Sequence, residues 1–212
     1  MPSIDQASVT LRSESRNPVY PQSEPDPTLG TATPALARPP CPMPAAVMAE
    51  LRTDQAGEAG AVCIYEGVLA ITRDPALRAF ALRHLATEQS HLQLIETWLP
   101  REHHSRLLPL WRVAGWLTGA LPALLGPRAV YCTIEAVERF VEVHYAQQIE
   151  HLESCPELAP LRQTLIDCQG DEHAHRLEAA TARGAAPGAL LRMWAWLVGA
   201  GSRGAVAVCR HV

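Results

Sequence analysis

The sequence predicts an all-α protein, a four-helix bundle with two additional apolar helices, and three observations carry that expectation. The 212-residue chain is 48% hydrophobic but only 5% aromatic, a composition that suits packed helices better than a β-sandwich. Proline and capping signals cut residues 45–212 into six helix-length segments with no convincing strand between them. A Glu-x-x-His step occurs twice, as Glu88-Gln-Ser-His91 and Glu172-His-Ala-His175, and each follows a segment with one candidate glutamate, Glu58 and Glu138. A bundle that binds two metal ions takes one glutamate from each of two helices and a Glu-x-x-His from each of the other two.

Residues 1–44 hold ten of the eighteen prolines, mixed with Ser, Thr and both signs of charge. Such a segment buries too little apolar surface to offset its ordering entropy, so a disordered tail is expected over 1–44 and one helical domain over 45–212. Asp5, Glu14, Glu24 and Asp26 are out of place in a transit peptide. The first helix is expected over 46–71. Asp74-Pro75 puts a capping acid before a proline at the first helical position, opening a second helix that Leu99-Pro100 stops near Trp98. An apolar run covers 107–125. A fourth helix starts near Pro127 and ends before Cys155-Pro156, a fifth spans about 157–182, and the last runs from about Pro187 to the C-terminus. Short connections at 99–106 and 183–186 make neighbouring helices antiparallel.

Helical geometry tests the ligand set. Glu88 and His91 are three residues apart and share a stripe with His84 and Ile95; Glu172 and His175 share one with Leu165, Cys168 and Ala179. Glu58 lies on the stripe of Leu51, Asp54, Val62, Tyr65 and Leu69, and Glu138 on that of Ile134, Val141, Tyr145 and Ile149. Each lone glutamate interrupts a core-like face, where a bound cation would offset the cost of desolvating it. One Glu-x-x-His alone is more often a solvated face than a ligand pair, but two with interleaved glutamates are not. The separations 58 to 88 and 138 to 172 each fit an antiparallel pair that returns a ligand to similar depth, and the halves look like a duplicated unit.

The remaining acids and histidines have lesser roles. His103, His104, His151 and His211 are expected at the surface. Either His144 or Tyr145 should face the interior near Glu138, Asp54 and Asp171 are candidates to orient a ligand or to lie at the surface, and Glu142 is a second-ranked alternative ligand. The net charge of −4 gives no basic signature for a nucleic-acid partner. Six cysteines without a Cys-x-x-Cys pair point to a reduced compartment and to apolar fillers rather than zinc ligands. No Gly-rich dinucleotide fingerprint is present.

From about Leu51 onward the sequence resembles the demethoxyubiquinone hydroxylases of ubiquinone biosynthesis, through Leu51-Arg-Thr-Asp-Gln-Ala-Gly-Glu58, Glu88-Gln-Ser-His91, Leu124-Leu-Gly-Pro127, Cys132-Thr, Ala136-Val-Glu138, His144-Tyr145 and Asp171-Glu-His-Ala-His175. The resemblance implies a ferritin-like bundle and carries the family's six metal ligands onto Glu58, Glu88, His91, Glu138, Glu172 and His175. It implies two Fe ions per chain and an O2-dependent di-iron monooxygenase that hydroxylates the ring of a demethoxyubiquinol-like polyprenyl quinol. Four carboxylates and two neutral imidazoles carry a charge of −4, matching two Fe(II) ions; ligand count does not separate iron from manganese. Gln55 stands where the family commonly has His, and Ala207-Val208-Cys209 lacks an aromatic. These departures keep a different quinone or a secondary metabolite open as substrate. A ferritin-like iron-binding or peroxide-scavenging protein is the alternative from another class.

A lipid-soluble substrate implies a membrane surface. The run 107–125 carries Pro109, Arg112 and Pro122, which suit an interfacial helix better than a span. In the last helix Met193, Trp194, Trp196, Leu197 and Val198 lie near Arg192 and Arg203, a mixture found at bilayer surfaces. Core packing or a subunit contact would use the same residues. The expected location is the cytoplasmic side of a bacterial inner membrane, as a peripheral protein, alone, as a homo-oligomer or in a ubiquinone-biosynthesis complex.

Overall fold

A computed structural model describes residues 43–212. The proposed tail lies outside the described residues except for Met43 and Pro44, which precede the first helix in non-helical conformation. Six α-helices follow, with no strand among the described residues: α1 (Ala45–Ile71), α2 (Pro75–Trp98), α3 (Leu108–Leu125), α4 (Pro127–Leu152), α5 (Ala159–Arg183) and α6 (Ala189–Cys209). The expected boundaries agree within a few residues. Two single 3₁₀ turns, Arg101–His103 and Pro156–Leu158, are additional, and the latter delays the start of α5.

The boundaries have local causes. Asp74 caps α2 by accepting from the Leu77 amide at 2.8 Å, with Pro75 at the first helical position. The α3–α4 corner turns on Gly126 at φ 101°, a conformation costly to any side chain. Pro127 then starts α4.

Helices α1 and α2 form one antiparallel pair, α4 and α5 another, and the four surround a common interior. Apolar residues fill it at both ends. Tyr65, Val68, Leu77, Phe80 and Ile134 pack at one end, and Leu51, Ile95, Leu161 and Leu165 at the other. Between them lies a belt of buried polar side chains. Helices α3 and α6 lie across the α1–α4 side and close it. Helix α3 rests backbone-to-backbone on α1: a Cβ on Gly115 would overlap the Gly60 carbonyl, and one on Gly119 the Ile64 carbonyl. The outer faces of these two helices stay apolar, with Leu124 67% and Trp196 65% exposed. No described helix is long and apolar enough to cross a membrane.

Candidate metal centre

The polar belt contains the six candidate ligands together with other buried polar residues such as His84 and Asp54. Glu58 (α1), Glu88 and His91 (α2), Glu138 (α4), and Glu172 and His175 (α5) are all buried. They fall into two overlapping groups, Glu58/Glu88/His91/Glu172 and Glu88/Glu138/Glu172/His175, each with one donor atom per residue inside a 4.8 Å span. Each group offers three carboxylates and one imidazole, and Glu88 and Glu172 belong to both. The first group, with Glu58 and His91, and the second, with Glu138 and His175, would each be able to hold one divalent ion.

Unmet bonding potential gives the test of fit. Glu58 Oε2, Glu88 Oε1, Glu172 Oε2 and His175 Nδ1 are buried without a hydrogen-bond partner. His175 Nδ1 lies 3.2 Å from Glu88 Oε1 and 3.6 Å from Glu172 Oε2. Buried polar atoms are rarely left unpaired. Four in one place, all oxygen or imidazole nitrogen, suit hard or borderline divalent cations.

Protons occupy this space when no ion does. Burial, then the charge of Glu172, raises Glu58 to about 7. Burial and the neighbouring carboxylates push Glu88 and Glu138 well above the usual range. Burial pushes Glu172 up too, but contacts with His175, His91 and the Glu138 carboxyl outweigh it and hold that group at about 2. Burial pushes His91 down, but Glu172, Glu58 and Asp171 outweigh it and lift the imidazole to about 9. Carboxylates this close cannot all ionise without a compensating cation.

A ring of partners orients the six. Tyr65 on α1 donates to Glu138 on α4 at 3.0 Å, and Tyr145 on α4 donates to Glu58 on α1. Each tyrosine sits seven residues after the glutamate of its own helix and serves that of the other, so α1 and α4 are cross-braced. His91 presents Nδ1 to Glu172 at 3.0 Å while its Nε2 meets Asp171 Oδ2 at 3.0 Å, an outer carboxylate that fixes the ring's orientation. His84 stacks on His175 with ring centroids 3.9 Å apart and bridges Tyr65 (3.2 Å) to Glu178 (3.0 Å). Burial, then the adjacent His175, lowers His84 to about 4, so this supporting ring is neutral near pH 7.

Some expectations need correction. Glu142 is not an alternative ligand: its carboxylate faces outward to His173 and Arg176. Tyr145 meets Glu58 rather than Glu138, and His144 faces Thr53 (2.9 Å) and Asp54 (3.1 Å). Asp54 also accepts from Gln148 and touches none of the six by hydrogen bond, whereas Asp171 braces His91. His104 is half-buried, unlike His103, His151 and His211. The roles of Tyr65, His84 and Glu178 escaped the sequence reading. Their signal was the spacing Glu58–Tyr65 repeated as Glu138–Tyr145, and the His84–Glu88–His91 run.

A cavity of about 430 Å³ leads from the carboxylates towards α3 and α6. Glu58, Glu88, Glu138 and Glu172 line its inner end, and Trp111, Trp194 and Leu197 are among its apolar walls. The centre is thus open on one side to a slot for an apolar molecule.

The family model described as "Ubiquinone biosynthesis protein COQ7" matches residues 45–209, the span from the start of α1 to the end of α6. The chain belongs to the COQ7 family. It is similar to the 3-demethoxyubiquinol 3-hydroxylase of Rhodospirillum rubrum, with 39% identity over 64% of this chain and 65% of that protein. It is similar to the enzyme of the same description from Laribacter hongkongensis, with 36% identity over 64% of this chain and 66% of that protein. The mitochondrial NADPH-dependent 3-demethoxyubiquinone 3-hydroxylase of Caenorhabditis elegans is 30% identical over 76% of this chain and 88% of its own length. The chain therefore spans just under two thirds of the two bacterial relatives and most of the nematode one.

Proposed function

We propose that this COQ7-family chain is an O2-dependent monooxygenase that hydroxylates the ring of a demethoxyubiquinol-like polyprenyl quinol, with Glu58, Glu88, His91, Glu138, Glu172 and His175 holding two iron ions. The observation that supports this most is the pairing of two overlapping ligand groups with an apolar cavity that ends on them. An iron store has no use for such a cavity, whereas a quinol ring with an isoprenoid tail needs one. The iron pair, when bound, supplies the electrons that reduce O2.

The protein's own groups supply position and exclusion. Tyr65 and Tyr145 each donate to one carboxylate oxygen of Glu138 and Glu58, leaving the other oxygen for an ion. Asp171 fixes the His91 ring so that Nδ1 points inward. Trp111, Trp194 and Leu197 exclude water and hold the flat ring against the centre, and a reacting ring so confined needs little reorganisation. The mitochondrial relative is described as NADPH-dependent; by extension a nicotinamide nucleotide is the ultimate electron source here, acting directly or through the quinol.

The substrate also argues for a membrane surface. The exposed apolar faces of α3 and α6 flank the cavity and are the surface we assign to the bilayer, with the protein peripheral on the cytoplasmic side of a bacterial inner membrane. Expression in a strain that accumulates demethoxyubiquinone tests the reading. The wild-type chain restores ubiquinone, and Glu138→Ala abolishes the rescue. A purified protein with two irons that hydroxylates no demethoxyquinol under reducing conditions would remove the proposal.

A further inference from the structure

A second cavity, of about 710 Å³, lies between α4 and α6, and its walls are basic although the whole chain carries a net charge of −4. Arg139 from α4, Arg183 from the end of α5, and Arg192, Arg203 and Arg210 from α6 and the residue just after it all line this groove. Two carboxylates oppose these five guanidiniums. Glu135 pairs with Arg139 and Arg183, and Glu50 takes Arg210 with both oxygens. Arg203 has no hydrogen-bond or ion-pair partner among the described residues, and Arg192 donates only to the carbonyl of Pro187, just before α6 begins. The groove therefore carries unspent positive charge.

Its shape is that of an amphiphile's binding site. Arg192, Trp196, Gly199, Arg203, Val206 and Arg210 recur at steps of four and three residues, so one stripe of α6 alternates guanidinium with apolar or small side chains. Phe140 and Val143 of α4 complete an apolar wall opposite. Trp196 lines the groove and is also 65% exposed, joining it to the outer apolar row of Leu190, Met193 and Leu197. Phe140 and Val206 line both this groove and the cavity that reaches the carboxylates.

We propose that the α4–α6 groove binds the phosphate of an anionic membrane lipid, with Arg192 and Arg203 as its principal contacts. Guanidinium forks fit phosphate oxygens in a bidentate manner, and the apolar wall takes the first part of the acyl chains. Continuity with the exposed row of α6 selects a lipid over a soluble phosphate, which has nothing to place there. A lipid held at this point seats the protein with its substrate cavity beside the bilayer. The inference deepens the membrane reading above and rests on it.

Co-sedimentation with phosphatidylcholine vesicles, with and without phosphatidylglycerol, tests it on the full chain. Binding is expected to be stronger to the anionic vesicles. Arg192→Ala with Arg203→Ala is expected to weaken that binding about fivefold per arginine removed while leaving the far-UV helical signal unchanged. Arg73→Ala with Arg101→Ala, two exposed arginines outside the groove, is expected to have little effect. Equal binding to both vesicle types, or equal losses for both double variants, overturns the groove assignment and leaves the membrane reading standing. No binding to either vesicle overturns both. A blue shift of tryptophan fluorescence is expected with anionic vesicles but not with millimolar inorganic phosphate. An equal response to inorganic phosphate assigns the groove to a soluble ligand and overturns the lipid.

Discussion

At the residue scale, the buried cluster is an arrangement of acids that is unfavourable without a compensating cation. In the metal-free protein at neutral pH Glu58, raised to about 7, is about half protonated, His91 at about 9 carries its proton, and Glu88 and Glu138 lie well above the usual carboxylate range. Loading with divalent metal displaces those protons. In weakly buffered solution at pH 7, calorimetry in buffers of different ionisation enthalpy should record a net proton release. The metal-free protein has a further signature. A carboxyl whose folded pKa exceeds its unfolded value contributes stability that is complete below about 4.5 and is lost as the pH rises through the folded value. Urea midpoints of the apo form should therefore fall between about pH 4.5 and 7, and the metal-loaded form should show no such decline. Asp171 acts on the same centre from outside. Asp171→Asn should weaken metal binding about 10–100-fold, measured by competition with a chromophoric chelator. An unchanged affinity would mean that the His91 ring is held by packing alone.

At the element scale, α3 is placed by the absence of side chains rather than by interlocking ones. Gly115 and Gly119 let its backbone lie against the carbonyls of Gly60 and Ile64, and Gly67 does the same on α1 beneath Trp116. Gly119→Ala gains helix propensity but forces the helices apart, and should cost about 1–3 kcal/mol as overpacking does. Gly170→Ala on α5, where an added Cβ meets nothing, should instead stabilise by about 1 kcal/mol. Thermal unfolding of the two variants separates the effects, and a stabilised Gly119→Ala would refute the close packing. Because α3 also walls the cavity that reaches the carboxylates, under the proposed function the same variant should raise KM for a demethoxyquinol more than it lowers kcat. The pairing of α1 with α2 and of α4 with α5 was legible from Asp74-Pro75, the Pro127 start and the ligand spacing. The packing of α3 was not, because a glycine in an apolar run reads equally as a flexible point and as a contact.

At the scale of the whole molecule, the seam between α2 and α5 depends on the centre. Apolar packing is concentrated at the two ends of the bundle. In the middle, α2 and α5 meet through His91 with Asp171 and Glu172, through His84 stacked on His175, and through Glu178 with Arg83 and His84. Removing the metal should lower the melting temperature, since a ligand that binds only the folded state stabilises it by mass action. Hydrogen exchange should quicken first around Glu88–His91 and Glu172–His175, ahead of α1 and α4, whose tyrosine–glutamate braces remain. A uniform rise along all four helices would show that the centre stabilises the bundle as a unit and not this seam.

The sequence by itself determined six helices, their order, and the six acids and histidines that gather in one buried cluster. Helical periodicity and proline punctuation act over a few residues, and two Glu-x-x-His steps with interleaved glutamates admit few other arrangements. Only the tertiary structure decided which tyrosine serves which glutamate, that Asp171 rather than Asp54 braces a member of the set, that Glu142 turns outward, and that Arg139, Arg183, Arg192, Arg203 and Arg210 gather in one groove. Those are contacts between residues distant in the chain. Their partners depend on the rotation and depth of each packed helix, quantities that the period of a single helix does not contain.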